Sequence, residues 1–320
     1  MTMLKNVEAN PETLNARMGI TGRVRFEASA LGGPVVVLEH PRGRATVALF
    51  GGQVIDWQPA GQAAVLWLSP AARLDAGQAV RGGVPVCWPW FGPPGRSLTE
   101  GMAGTWPQHG FARTATWQAV ETGDSMAGPW VTLALTAPAM AGKGWPGKAE
   151  VRLTVVVGET LELRLVTRNL GSAPLVLTQA LHAYFHVGDI EETRVEGLDG
   201  HVFHNAVALG PALAISSTLN SQIGAVTFAG EVDRIYLEQR GPVSIVDRRL
   251  GRRITMTKRG SASTVVWNPW RDKAGNLGDI GAEGYRRMVC VEAANTVYDA
   301  VTVPAGGTTE LAAVYECGPA

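Results

Sequence analysis

Two histidines stand four residues apart in the segment LTQALHAYFHVGDI, which spans residues 177–190. On a helix, His182 and His186 would share one face, and that spacing is typical of a metal site. On a strand, the same spacing corresponds to about 13 Å, which is too far for both rings to bind one ion. The chemistry open to these histidines therefore depends on the secondary structure of the segment.

The segment is predicted to be a strand because it directly follows a hairpin pattern at residues 149–171. In that pattern apolar residues recur at every second position, and Gly158-Glu159 predicts a two-residue turn. A strand over 174–190 excludes joint zinc binding by the two histidines. Its polar face is either the lining of a cleft or a sheet face with hydrogen-bonded histidines. The residues on that face are Thr178, His182, Tyr184 and His186.

A glutamate interrupts the apolar run RMVCVEAAN at residues 287–295. A buried, unpaired carboxylate is costly, so Glu292 is either a structural residue with satisfied hydrogen bonds or a functional one. Partial burial also raises the pKa of a carboxyl group towards neutrality, which suits a general base. Glu292 is therefore a second candidate for chemistry.

Two loops rich in glycine, proline and aromatic residues supply candidate ligand contacts. They are RGGVPVCWPWFGPPG at 81–95 and WPQHGFARTATW at 106–117. The guanidinium groups of Arg81 and Arg113 are suited to phosphate. The alternative is an aromatic cluster with surface arginines, but this density of rings beside two loops rich in proline and glycine favours a ligand site. The aromatic side chains concerned are Trp88, Trp90, Phe91, Trp106 and Phe111.

Short alternating segments between turns rich in Gly, Pro, Asn and Asp predict an all-β fold. Apolar residues make up 46% of the 320 residues, and we expect one large antiparallel β-sandwich with few short helices. Helices are expected only at 10–19 and 278–287. Residues 1–24 are expected to form a loosely attached N-terminal leader and residues 25–320 a single domain. Further strands are expected within 33–40, 44–59, 130–137, 241–249, 252–259, 263–270, 287–295 and 308–317.

The composition excludes several classes of function. The formal net charge is +0, which gives no basis for binding nucleic acid or a membrane surface. The sequence has no apolar stretch long enough to span a bilayer, and the N-terminus lacks the apolar core of a secretory signal. The three cysteines are far apart and odd in number, which argues against a disulfide framework and predicts a cytoplasmic location.

Six runs resemble, in order, the motifs of the aldose 1-epimerase (mutarotase) superfamily, and specifically its hexose-6-phosphate mutarotase branch. Together they cover about residues 30–317. The resemblance implies a galactose mutarotase-like supersandwich that interconverts sugar anomers without a cofactor or a metal. The runs are RGGVPVCWPWFG, QHGFAR, LHAYFHVGDI, EVDRIY, VVWNPW and EGYRRMVCVEAANT.

The resemblance also implies roles for individual residues. His182 would be the catalytic acid and Glu292 the catalytic base, while Asp233 would hold a sugar hydroxyl. His186 is expected to have no catalytic role. Further substrate contacts are expected from Arg81, Gln108, His109 and Arg113, with the two arginines at the 6-phosphate.

The expected activity is interconversion of the α and β anomers of a hexose 6-phosphate, with glucose 6-phosphate the leading substrate. We expect a monomer whose only partner is the sugar. One alternative is an epimerase for unphosphorylated aldoses, and another is a non-catalytic carbohydrate-binding protein on the same fold. His182 together with Glu292 favours an enzyme, and Arg81 together with Arg113 favours a phosphorylated substrate.

Overall fold

A computed structural model describes residues 10–74, 77–94, 106–135, 145, 147–207 and 219–320. Strands predominate within these residues. No helix of the described ranges is long and apolar enough to cross a membrane. Within the described ranges the α-helices are α1 (Pro11–Met18) and α2 (Trp270–Asn276), and 3₁₀ helices lie at Ala112–Thr114, Ile190–Glu192 and Gly284–Arg287.

The strands are short, with frequent reversals of the chain. In the first half of the chain they are β1 (Val24–Ala28), β2 (Pro34–His40), β3 (Gly43–Ala48), β4 (Gln53–Pro59), β5 (Val86–Cys87), β6 (Gln118–Ser125), β7 (Gly128–Leu135), β8 (Ala149–Val157), β9 (Leu161–Asn169), β10 (Leu175–Leu177) and β11 (Gln179–Leu181). They continue with β12 (Tyr184–His186), β13 (Thr193–Glu196), β14 (Val202–Asn205), β15 (Leu219–Ser221), β16 (Val232–Tyr236), β17 (Val243–Asp247), β18 (Arg252–Arg259), β19 (Ser263–Asn268), β20 (Met288–Asn295), β21 (Val301–Val303) and β22 (Thr308–Pro319).

Two eight-stranded antiparallel sheets form the body of the protein. The sheet that carries the candidate site, called the site sheet here, has the order β15-β14-β16-β19-β20-β11-β5, with β12 also paired to β20. The other, the backing sheet, has the order β13-β17-β18-β22-β9-β8-β7-β6. Phe185 of the site sheet meets Tyr315 of the backing sheet with ring centroids 5.4 Å apart. This arrangement confirms the predicted antiparallel β-sandwich with few short helices.

The hairpin β8–β9 shows why the sheets face each other. Its apolar residues alternate with polar ones, and every second side chain from Val151 to Val157 and from Leu161 to Leu165 is buried in the main core. The predicted two-residue turn is wrong, because Val157 pairs with Leu161 and the connection spans three residues.

The segment around the two histidines is not one continuous strand. It breaks into β10, β11 and β12, and its pairing partner changes from β21 to β20 between β10 and β11. β10 pairs with β21, β11 lies between β20 and β5, and β12 pairs with β20. The break after β11 falls at His182 and Ala183. Despite the break, the rings of His182 and Tyr184 stack with centroids 4.8 Å apart and an angle of 8°, so their predicted common face is confirmed.

The two helix predictions had different outcomes. The first is confirmed as α1, which begins where the Asn10 side chain accepts a hydrogen bond from the Glu12 backbone N–H. The second is only partly right, since residues 278–287 contain just the 3₁₀ helix Gly284–Arg287. Gly281 has φ of +75°, a left-handed conformation that interrupts a helix. The α2 helix lies further upstream and was not predicted.

Part of the predicted leader packs on the domain. Leu14 of α1 is 2% exposed and belongs to the main core. The Asn15 side chain accepts a hydrogen bond from the Phe26 N–H and donates one to the Phe26 carbonyl. Residues 1–9 lie outside the described residues. The boundary at residue 24 and the loose attachment stay predictions, which a series of N-terminal truncations would test.

Candidate active site

A cavity of about 220 Å³ opens on the site sheet. Strands β16, β19 and β20 supply its floor, and loops and α2 supply its rim. All seven residues proposed from the sequence as site residues line it, whereas His186 does not. The described residues that line it are Arg81, Phe91, Gln108, His109, Arg113, His182, Tyr184, Asp233, Val265, Trp267, Lys273, Leu277 and Glu292.

Strand pairing brings His182 and Glu292 together at the floor. Leu181 of β11 pairs with Ala293 of β20, so the residues next to this pair, His182 and Glu292, are neighbours. His182 Nδ1 lies 3.3 Å from Glu292 Oε1. Glu292 is 1% exposed and His182 is 8% exposed. The floor therefore carries two ionisable groups that are almost fully shielded from water.

Burial disfavours the charged form of both groups. It raises the pKa of Glu292 well above its ordinary value, and the nearby Asp233 carboxylate adds to this shift. It lowers the pKa of His182 well below its ordinary value, and His109 and the cationic side chains of Arg113 and Arg81 add to that shift. In the free protein these shifts favour an uncharged pair with one proton on Glu292.

Two atoms of the pair lack hydrogen-bond partners. Within the described part of the chain, neither His182 Nδ1 nor Glu292 Oε2 makes a hydrogen bond, although both atoms are buried. Buried polar atoms are almost always paired in folded proteins, so two unpaired atoms facing one cavity are consistent with a site that binds a ligand. Among the described residues, the group that could hold a metal ion consists of this pair and Cys290.

Aromatic rings fix the orientation of the His182 imidazole. Tyr184 stacks on one face, and Trp267 meets the ring edge-on with centroids 6.2 Å apart. The ring of His109 lies 5.6 Å away. Burial, with help from Arg113 and Arg81, lowers the pKa of His109 to about 3, so His109 is neutral.

The Gly92 N–H fixes the tautomer of His109. It donates to His109 Nδ1 over 3.2 Å, which leaves the ring proton of the neutral imidazole on Nε2. His109 is thus a neutral hydrogen-bond donor at the cavity.

Asp233 lies in β16, near the pair. Burial raises the pKa of its carboxyl group to about 6, with Lys273 opposing the shift and Glu231 adding to it. A carboxylate held this way is a strong hydrogen-bond acceptor that ionises near neutral pH.

Cationic side chains line the rim, and they are already partnered. Arg81 Nε donates to Asp279 Oδ2 over 2.7 Å, and Arg81 lies 3.4 Å from the Tyr184 hydroxyl. Arg113 donates to the Gln108 carbonyl over 2.9 Å. Lys273 pairs with Glu231. The rim is therefore an anion-binding surface in which an incoming anion must compete for Arg81 and Lys273.

Most of the aromatic side chains predicted near the ligand are structural. Trp88, Trp90 and Phe111 are buried in the main core and meet edge to face. Trp106 packs against that cluster. Only Phe91 of the five lines the cavity. Four of the five rings thus belong to an aromatic cluster, which was the alternative interpretation, while the two loops supply Phe91, Gln108 and His109 to the cavity.

Sequence reasoning missed several residues of the site. Tyr184 was placed on the correct face but not in the site, and Trp267 lies in the motif VVWNPW without an assigned role. Lys273 comes from the short α2 helix and Asp279 from the irregular segment after it. Neither gives a periodic signal in the sequence, so only the three-dimensional contacts identify them.

The fold and the site together define a galactose mutarotase-like protein. A crystal structure provisionally named a mutarotase, from Salmonella typhimurium, superimposes with a TM-score of 0.83 and 30% identity over 95% of this chain and 96% of that one. A sequence profile of the aldose 1-epimerase family matches residues 34–316. The chain belongs to the aldose 1-epimerase family, which confirms the resemblance seen in the motifs.

Two curated bacterial relatives cover most of the chain. One, from Salmonella typhimurium, is 34% identical over 276 residues, which is 86% of each chain. Another, from Escherichia coli K12, is 35% identical over 260 residues, or 81% of this chain and 82% of the relative. Both are named, provisionally, glucose-6-phosphate 1-epimerases.

Proposed function

We propose that the protein interconverts the α and β anomers of a hexose 6-phosphate, most directly glucose 6-phosphate. The observation that carries the proposal is the buried His182–Glu292 pair at the floor of a cavity with cations on its rim. The relatives named for glucose 6-phosphate support the choice of substrate.

Anomer interconversion needs two coordinated proton transfers. Glu292 takes the proton of the C1 hydroxyl while His182 gives a proton to the ring oxygen O5. The C1–O5 bond breaks, and a C1=O1 double bond forms. Rotation about C1–C2 presents the other face of the aldehyde, and the same transfers in reverse close the ring. No net proton is gained or lost, and general acid–base help is worth about 10²–10⁴-fold.

Burial of His182 and Glu292 determines which protonation state of the pair is favoured during ring opening. The closed sugar accompanies an ionised pair, and the open aldehyde accompanies the uncharged pair, with the proton on Glu292. Burial favours the uncharged pair, as the pKa directions of both groups indicate. The uncharged pair of the free protein must therefore ionise, by transfer of the Glu292 proton to His182, before the closed sugar reacts, and ring opening returns the pair to its uncharged state.

The remaining lining residues are proposed to orient the sugar. Arg81 and Arg113 would hold the 6-phosphate, Asp233 would accept a sugar hydroxyl, and Gln108 would contact the ring. His109, as a neutral donor, would supply a further hydrogen bond. Fixed at both ends, the ring presents C1 and O5 to the pair, which converts binding energy into orientation.

One observation favours a second candidate, an epimerase for unphosphorylated aldoses. Arg81 is held by Asp279 in the free protein, so a phosphate would have to displace a carboxylate to gain a full contact. A neutral sugar would use the floor without disturbing this ion pair. A non-catalytic carbohydrate-binding protein is disfavoured because it would have no use for two costly buried ionisable groups.

An anomerisation assay separates these candidates. Freshly dissolved α-glucose 6-phosphate and α-glucose are each followed by polarimetry, with and without protein, against the spontaneous rate. We expect strong acceleration for the phosphorylated sugar and a much smaller kcat/KM for glucose. Equal values for both sugars would support the unphosphorylated-aldose candidate, and acceleration of neither would support the binding protein.

We further propose that the active form is a cytoplasmic monomer that needs no added metal or cofactor. The buried free cysteines Cys87, Cys290 and Cys317 are compatible with a reducing compartment. Light scattering on a size-exclusion column would measure the mass, and full activity is expected after exhaustive chelation.

A further inference from the structure

We propose that the floor of the cavity is also an inhibitory binding site for a thiophilic divalent cation such as Zn²⁺, held by His182, Cys290 and Glu292. Binding of the ion stands independently of the reaction, whereas its inhibitory effect rests on the proposed function. The ion would bind the same His182 and Glu292 atoms that transfer protons in the proposed reaction.

The three ligand atoms already lie close together. One atom from each residue falls within 4.8 Å of the other two, and the His182–Glu292 distance is 3.3 Å. Zinc bonds of about 2.0–2.3 Å separate two ligands of a tetrahedral ion by roughly 3.3–3.8 Å. Changes of at most about 1.5 Å in these separations therefore complete the site.

Backbone pairing makes this proximity a property of the fold. Cys290 and Glu292 stand two residues apart on β20, so their side chains point to the same face of the site sheet. Leu181 pairs with Ala293 and Tyr184 pairs with Cys290, which places His182 between those two rungs. No loop movement is needed to bring the three ligands together.

The unpartnered atoms at the floor point independently to a ligand. Within the described residues, His182 Nδ1 and Glu292 Oε2 are buried and make no hydrogen bond. A cation between these atoms and the Cys290 sulfur would satisfy them.

The charge and chemistry of the donors select the class of ion. A Glu292 carboxylate and a Cys290 thiolate balance the charge of a divalent cation, and His182 binds as a neutral ring. An uncompensated charge would be costly at a site with three buried ligands. Thiolate and imidazole prefer Zn²⁺ or Cd²⁺ to Mg²⁺ or Ca²⁺. On binding, Cys290 gives up its thiol proton to solvent, and Glu292 gives up any proton that it carries.

Inhibition is tested by titrating Zn²⁺ into the anomerisation assay, with Mg²⁺ as the control ion. We expect Zn²⁺ to inhibit, Mg²⁺ to leave the rate unchanged, and a chelator to restore activity. Loss of an outer-shell partner alone costs about 10–100-fold in metal affinity, so Cys290→Ala should raise the half-inhibiting Zn²⁺ concentration by at least about 10-fold. Cys290 does not line the cavity, so this variant should keep its basal activity.

Cys87→Ala is the matched control, because Cys87 is an equally buried thiol of the site sheet outside the group of three ligands. It should be inhibited like the wild type. If inhibition survives Cys290→Ala unchanged, the zinc site lies elsewhere and the proposal is wrong. If Cys290→Ala does not fold, Cys290→Ser replaces it, with the same expected loss of sensitivity.

A spectroscopic readout keeps the site separate from the reaction. Co²⁺ added anaerobically should give thiolate-to-cobalt charge-transfer absorption in the wild type and in Cys87→Ala, but not in Cys290→Ala. Absence of that absorption from the wild type would overturn the metal site. Its presence in a protein that anomerises no sugar would leave the site standing and remove the proposed function. Metal binding without inhibition would overturn the inhibitory role.

Discussion

The floor and the rim of the cavity solve the problem of holding charge in opposite ways. At the floor, the side chains of Glu292 and His182 are 1% and 10% exposed, and atoms of both lack partners within the described chain. At the rim, the side chains of Arg81 and Lys273 are 24% and 42% exposed, and each is paired with an acid. The groups proposed to transfer protons are thus buried away from water. The groups proposed to bind the phosphate are partly exposed, where a charged side chain costs little free energy.

The largest expected effect comes from removing the proton acceptor at the floor. Glu292→Gln keeps the shape of the side chain but cannot accept a proton, so anomerisation should fall by at least about 10²-fold. Activity on glucose 6-phosphate and on glucose should fall by the same factor, because both reactions use the floor. A folded variant that keeps more than a tenth of wild-type activity would show that Glu292 is not the base.

His182→Asn should lose nearly as much activity, since it removes the other half of the proton relay, with a loss of about 10²-fold expected. His186→Asn is the matched control, as His186 lies four residues further along and outside the cavity. Rates for both variants decide the matter. Similar losses of activity in the two variants would mean that the effect is not specific to His182, and its role as the acid would be contradicted.

At the rim, Arg81→Ala and Arg113→Ala should raise KM for glucose 6-phosphate far more than KM for glucose. A charge-assisted contact to phosphate is worth about 1.5–3 kcal/mol, or roughly 10- to 150-fold in affinity. Arg73→Ala, at an exposed arginine outside this cavity, controls for loss of general positive charge. If KM rises equally for both sugars and the melting temperature drops, the arginines brace the loops instead of holding phosphate.

The smallest expected effect comes from releasing Arg81 from its ion pair with Asp279, while Arg81 itself is kept. Asp279→Asn removes the carboxylate that competes for Arg81, and a solvent-accessible ion pair contributes about 0–1 kcal/mol. KM for glucose 6-phosphate should therefore fall by up to about fivefold, while KM for glucose stays unchanged. Asp272→Asn, at an exposed carboxylate of α2, serves as the control. A raised KM would mean that Asp279 positions Arg81 instead of competing for it.

The floor was more predictable from the sequence than the rim, for a physical reason. Strands repeat every two residues, so alternation locates Glu292 in an apolar run and puts His182 and Tyr184 on one face. Pairing of β11 with β20 then brings His182 beside Glu292. Strand alternation also places Cys290 on the same face of β20 as Glu292. The rim comes from loops and the short α2 helix, whose side-chain directions depend on non-local contacts. Asp279 and Lys273 therefore left no signal, although the six motifs located Arg81 and Arg113.

The same contrast explains the errors in secondary structure. The two-residue turn and the unbroken strand over 174–190 both followed from local periodicity. The break between β10 and β11 arises where the chain changes its pairing partner from β21 to β20, whereas β11 and β12 pair with β20 in one register on either side of His182 and Ala183. Periodicity carries no information about such changes, because it reports only which face a residue occupies.

The buried carboxyl group of Glu292 also creates a conflict between activity and stability. Its pKa is raised by folding, so the folded chain binds more protons than the unfolded chain above the ordinary pKa of 4.5. The stability that Glu292 contributes is present below that pKa and is lost as the pH rises through the folded-state pKa. Glu292→Gln should therefore melt at a higher temperature than the wild type, with a gap that widens as the pH rises above 4.5 towards the folded-state pKa. Glu121→Gln, on an exposed strand position, should show no such widening. The protein is in this sense destabilised by the group that lets it act.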